Sequence, residues 1–181
     1  MTDEPQTGPR DAEELWMTAY HEAGHAVVAS LLGHMPSHLE VQGDERLAGS
    51  CHTLRFPPLR GIDGDGEAVP DEIAELVLIA LAGTVAERIA SGRGGWDESN
   101  ADVDRAVRLA FRLAEDCEGV VRCLEGARDE VERLLEGSWP AVVALARVLA
   151  RRRVLGREEI AEALQDVLPR QPYASVLSGV V

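Results

Sequence analysis

Leu15, Ala19, Ala23, Ala26, Val27 and Leu31 fall three or four positions apart, the period that gathers side chains on one face of an α-helix. Asp11 and Glu14 have the spacing of a capping box, so the helix is predicted to begin there. It should run to about Leu32 and stop at Gly33, with Pro36 behind the break. Leu39 and Val41 alternate with polar neighbours, the period of a half-buried strand. Residues 38–42 and 48–56 are therefore predicted as two short strands joined by a polar turn over 43–46. Residues 57–70, rich in glycine and acids, read as a loop. Residues 71–91 are apolar around most of a helical circumference, which predicts a buried helix, ended by the glycines at 92–95. A third helix should begin near Asn100, with Val103, Ala106, Val107, Ala110, Phe111 and Ala114 on one face. Residues 117–119 read as an interruption. Further helices are predicted over 127–136, over 141–152 behind Pro140, and over 158–167.

This pattern gives a mainly α fold, a compact helical domain with a small β-hairpin or short sheet beside the first helix. One domain is expected over residues 11–168. A polar lead-in at 1–10, read as disordered, precedes it, and a weakly patterned C-terminal tail at 169–181 follows. No internal repeat is present.

Composition narrows the function. The chain has 181 residues, 45% of them hydrophobic, enough for a real core, and a formal net charge of −14. That charge disfavours a nucleic-acid partner and an anionic membrane surface. All eighteen basic residues are arginine. A P-loop needs a lysine, and so does Schiff-base chemistry, so neither is available. If the chemistry needs ATP, a separate ATPase or unfoldase must supply it. Cys51, Cys117 and Cys123 form no Cys-x-x-Cys pair, which argues for reduced thiols and a cytoplasmic protein. The first ten residues lack the apolar core of a signal peptide, and the longest apolar runs are too short to span a bilayer.

The candidate chemistry sits in the first helix, in Ala19-Tyr20-His21-Glu22-Ala23-Gly24-His25-Ala26. His21 and His25 are one helical turn apart and share a face, so both imidazoles can reach one Zn²⁺ at about 2.0–2.1 Å. Glu22 can hold a carboxylate near the open position of such an ion, take a proton from water there and later deliver it to a leaving amine. A catalytic zinc usually has three protein ligands. Leu31 stands where a metzincin would place its third histidine. The remaining candidates are Asp102, Glu87, Asp97, Glu98, Asp104 and the spare histidines His34, His38 and His52, which read more simply as surface or strand residues.

Four stretches carry a resemblance to the M41 peptidase family, the zinc protease domain of FtsH-type AAA proteases. The histidine helix is similar almost residue for residue. Leu81-Ala82-Gly83-Thr84-Val85-Ala86-Glu87 resembles a Leu-Gly-Gly-Arg-Ala-Ala-Glu segment. Ser99-Asn100-Ala101-Asp102-Val103-Asp104-Arg105-Ala106 resembles a Ser-Asn-Asp-Leu-x-x-Ala segment with one residue inserted. Val148 to Leu155 followed by Glu158-Glu159-Ile160 is similar to a C-terminal helix pair. The resemblance spans residues 12–168. It implies Zn²⁺ as cofactor, His21, His25 and Asp102 as metal ligands, and Glu22 as the catalytic general base. Glu87 is the rival third ligand, better suited to orienting a ligand histidine through its other ring nitrogen. In similar proteases a strand beside the cleft pairs with extended substrate, a role that residues 38–56 could take.

The family's membrane segments and AAA ATPase have no counterpart here, so a stand-alone domain is expected, with its oligomeric state open. Such a domain would be a zinc metalloendopeptidase whose substrate is an unfolded or flexible polypeptide. A catalytically silent zinc-binding regulatory or interaction module is the alternative, and a metal hydrolase acting on another bond is a third.

Overall fold

The computed structural model describes residues 9–41, 70–92 and 101–168. Six helices and two short strands follow in the order α1 (Pro9–Leu31), β1 (His38–Glu40), α2 (Pro70–Ser91), α3 (Ala101–Ala110), α4 (Cys117–Gly137), α5 (Trp139–Arg152), β2 (Val154–Gly156) and α6 (Arg157–Leu164). The fold is mainly α with one short sheet, as the pattern of apolar positions predicts.

α1 packs on α2 and α5, and α2 packs in turn on α3 and α4. These two helices form the centre, which explains their composition. In α1, Ala19, Ala23, Ala26, Val27, Val28 and Ala29 are fully buried; in α2 the buried positions run almost unbroken from Ile73 to Ala86. A helix covered on every side needs no polar face. Small residues set how close the two helices come. A Cβ on Gly24 would lie 2.5 Å from Ala86 Cβ and 2.6 Å from the Ala82 carbonyl oxygen. The helices therefore touch along a seam that only glycine permits at that point. On the opposite side, Tyr20 of α1 stacks on Trp139 at the start of α5, with ring centroids 5.8 Å apart.

Several boundaries differ from expectation. α1 begins at Pro9 rather than at an Asp11 cap, since proline is well tolerated in the first turn, where its missing N–H would have no partner. It ends as predicted, with Gly33 at φ +89° beyond its last turn. α3 stops at Ala110, four residues short of the predicted face. α4 starts at Cys117, where an interruption is predicted. The break lies before it, at Asp116, whose carboxylate accepts the Gly119 N–H at 2.7 Å and caps the new helix.

The sheet differs more. β1 pairs antiparallel with β2, with Leu39 opposite Leu155. α5 ends at Arg152, as expected, but Arg153 behind it takes a left-handed φ of 66° and turns the chain into β2, a strand that the pattern does not predict. The Arg153 carbonyl then accepts the Val41 N–H at 2.8 Å. The turn at 43–46, the second predicted strand at 48–56, residues 57–69 of the predicted loop, residues 1–8 of the lead-in and the tail at 169–181 lie outside the described residues, while Pro70, the last residue of that loop, opens α2. Among the described residues, no helix is long and apolar enough to cross a membrane.

Candidate metal centre

α1 and α2 run antiparallel along their seam, so successive turns of one meet successive turns of the other. Ile79, Gly83 and Glu87 are spaced four apart on α2 and share one face. That face lies against His25 and His21. The His25 Nδ1 lies 2.6 Å from the Ile79 carbonyl oxygen. A carbonyl can only accept, so Nδ1 carries a proton and Nε2 is left to face the opposite way. The His21 Nδ1 lies 3.0 Å from a Glu87 carboxylate oxygen, which orients its ring in the same sense. Gly83 makes room between them. A Cβ at this position would lie 2.4 Å from His25 Nε2 and 2.5 Å from His21 Nε2.

The two Nε2 atoms are consequently directed to one point, 3.0 Å apart. Asp102, in the first turn of α3, brings its Oδ2 to 2.9 Å from His21 Nε2 and 3.3 Å from His25 Nε2. These three ligand atoms belong to the group that could hold a metal ion among the described residues. Ligands of a tetrahedral zinc, at bonds of about 2.0–2.1 Å, sit roughly 3.3 Å from one another. The donor set fits that geometry closely. It also fits in charge, because two imidazole lone pairs and a carboxylate oxygen converging on one point repel unless a cation lies among them.

The electrostatics of these side chains run the same way. Burial works against a charged His21, yet its hydrogen bonds with Asp102 and Glu87 carry its pKa up to about 10. Burial likewise opposes a charged Asp102, but the hydrogen bonds with His21 and His25 outweigh it and hold the carboxyl well below the usual range. The cluster attracts positive charge. Glu22 lies next to this cluster in sequence and is fully buried. Its burial raises its pKa to about 7, against the opposing pull of His25 and His21.

The structure thus brings His21, His25 and Asp102 together, with Glu87 on the far side of the His21 ring. Asp104 is exposed on α3. His34 pairs with Glu75 at 2.7 Å and His38 with Glu40 at 3.4 Å, both away from the cluster. Asp97, Glu98 and His52 lie outside the described residues. Sequence reasoning gave no role to the Ile79 carbonyl or to Gly83. A backbone carbonyl leaves no mark in the sequence. Gly83 does leave one, since a glycine inside a helix of alanines and leucines costs about 1 kcal/mol relative to alanine and calls for a packing reason.

No protein-family model matches the chain. Its sequence is similar to proteins named ATP-dependent zinc metalloprotease FtsH. With that of Rhodothermus marinus it is 26% identical over 197 residues, covering 89% of this chain and 27% of the relative. With FtsH 3 of Symbiobacterium thermophilum it is 29% identical over 157 residues, covering 85% of this chain and 22% of the relative. With FtsH 1 of a Thermoanaerobacter species the identity is 29% over 151 residues, covering 83% and 23%. The chain is thus similar in sequence to part of the FtsH zinc metalloproteases. It spans about a quarter of the length of these curated relatives.

Proposed function

We propose that the protein is a zinc metalloendopeptidase that cuts unfolded or flexible polypeptides. His21, His25 and Asp102 hold the zinc, and Glu22 is the general base. The observation that carries this reading is the convergence of His21 Nε2, His25 Nε2 and Asp102 Oδ2 within about 3 Å of one another, with the opposite ring nitrogens engaged by Ile79 and Glu87. Similarity to proteins named zinc metalloproteases supports it from outside the geometry.

A zinc ion bound there would act as a Lewis acid for the peptide carbonyl and lower the pKa of the attacking water. The chain's own residues do the rest. The Ile79 carbonyl fixes the His25 ring by accepting its Nδ1–H, and Glu87 fixes the His21 ring in the same way, so both present Nε2 as donor atoms. Asp102 contributes a carboxylate oxygen, leaving the three protein ligands with a net charge of −1. Glu22, held near neutrality in its affinity for a proton, receives one from water and returns it to the departing amine nitrogen. The central seam of small residues holds the imidazoles and Glu22 on one rigid helix.

The test is metal content and casein cleavage in the wild type, His25→Ala and Glu22→Gln. Wild-type protein should hold about one zinc per chain and cut casein. Glu22→Gln should keep the zinc and lose cleavage by a factor on the order of 10² to 10⁴, and His25→Ala should lose both. The complete burial of Glu22 favours a second reading, a zinc-holding interaction module without proteolytic activity. Wild-type protein with bound zinc and no cleavage of casein or of short peptides would select it.

A further inference from the structure

We infer that α3 is a metal-dependent clasp: it docks on the α1–α2 pair through Asp102 when the site is loaded, and its docking loosens when the ion is removed. The inference rests on the zinc reading above and goes beyond it, since it concerns the order of a helix rather than the reaction.

The ten residues of α3 bury little. Only Ala106 and Ala110 are buried, so the helix offers its neighbours two methyl groups together with partly covered Val103, Val107 and Leu109. α2, by comparison, buries Leu76, Leu78, Ile79 and Leu81 among many others. Hydrophobic stabilisation scales with apolar area removed from water, so α3 is the most weakly anchored of the helices that carry the site. The polar side-chain contacts from α3 to α1 include those of Asp102 with His21 and His25.

Those contacts change character with the ion. Without it, Asp102 meets the imidazoles through hydrogen bonds alone, and its side chain is 30% exposed, so water and salt screen the contact and it holds the helix weakly. With it, one carboxylate oxygen and two imidazoles share a metal, and the free energy of coordination becomes free energy of assembling the elements that supply the ligands. The two histidines belong to one buried helix, and α2 holds their Nδ1 atoms through the Ile79 carbonyl and Glu87. The ligand that must be brought in is Asp102, and α3 comes with it. Elements that bury few apolar groups open locally at low cost, and α3 meets that description at the one point where a ligand depends on it.

Hydrogen–deuterium exchange of the full chain, read by mass spectrometry with zinc and after chelation, tests this, with zinc content measured on the same samples. Chelation is expected to speed exchange in α3 peptides by tenfold or more while α1, α2 and α5 change by less than twofold. Asp102→Asn, which keeps the side-chain shape and removes its charge, should show the fast α3 exchange even with zinc in the buffer. If zinc binds at about one per chain and α3 exchange does not change on chelation, the clasp is overturned and the zinc reading stands. Loss of protection spread evenly over all helices also overturns it, since the ion would then stabilise the whole fold. If the wild type binds no zinc, both inferences fall together.

Discussion

The α1–α2 seam and the α3–α4 corner are both built from helices, and they differ in how tightly they are made. Along the seam, Gly24 and Gly83 let backbones and imidazoles approach to distances at which even a methyl group would collide. Nearly every residue there is buried. At the corner a small cluster of Ala110, Val120 and Cys123 lies under the turn, while Phe111 and Val121 are more than half exposed. The candidate metal centre takes its two histidines and Glu22 from the seam and Asp102 from α3, beside the corner. The lesson is a division of labour. Tight packing fixes the two imidazoles, and an element with a small buried face supplies the carboxylate that meets them.

The largest effect that would break this comparison is expected at Gly83. Gly83→Ala places a methyl group against both imidazoles, and overpacking of this kind costs about 1–3 kcal/mol. Thermal denaturation should show that loss, and zinc content should fall well below one per chain. A variant of wild-type stability with full zinc would show that the seam has room to give. Glu87→Gln is expected to act more mildly. It keeps an acceptor for the His21 Nδ1 proton and removes the charge, so zinc affinity measured by competition with a chelator should fall roughly 10–100-fold, with the melting temperature of the chelated protein little changed. Unchanged affinity would remove Glu87 from the ligand-orienting role. The smallest effect belongs to the corner. Phe111→Ser exposes no cavity, because the ring is 55% exposed already, and stability in urea should stay within about 0.5 kcal/mol of the wild type. A larger loss would mean that the corner is as well packed as the seam.

Much of the helical content was legible in the sequence. The period of α1 is set by which residues face the core, and burial at 3.6-residue spacing is a local signal; α2 was legible instead as a long run apolar on nearly every side. Boundaries were harder. The α3–α4 break was misplaced because Asp116 caps a helix that begins with Cys117-Glu118-Gly119, a stretch that looks like a turn until its cap is seen. β2 was hidden for a different reason. Three residues between two helices carry no usable period, and Val154–Gly156 becomes a strand because β1 lies beside it. The carried-over Asp102 and the rival Glu87 were both visible as acids; their separate positions on the Nε2 and Nδ1 sides of His21 were not.

By itself, then, the sequence determined the half of the site that one helix can make. His21, Glu22 and His25 stand as they do because a helix turns once in about 3.6 residues, a rule that needs no partner. Everything supplied from another element was decided by tertiary structure. The Ile79 carbonyl that holds His25, the space at Gly83, the carboxylate behind His21 and the one before it all come from α2 and α3. They meet the histidines only because small residues let those helices pack where they do, more than fifty residues away along the chain.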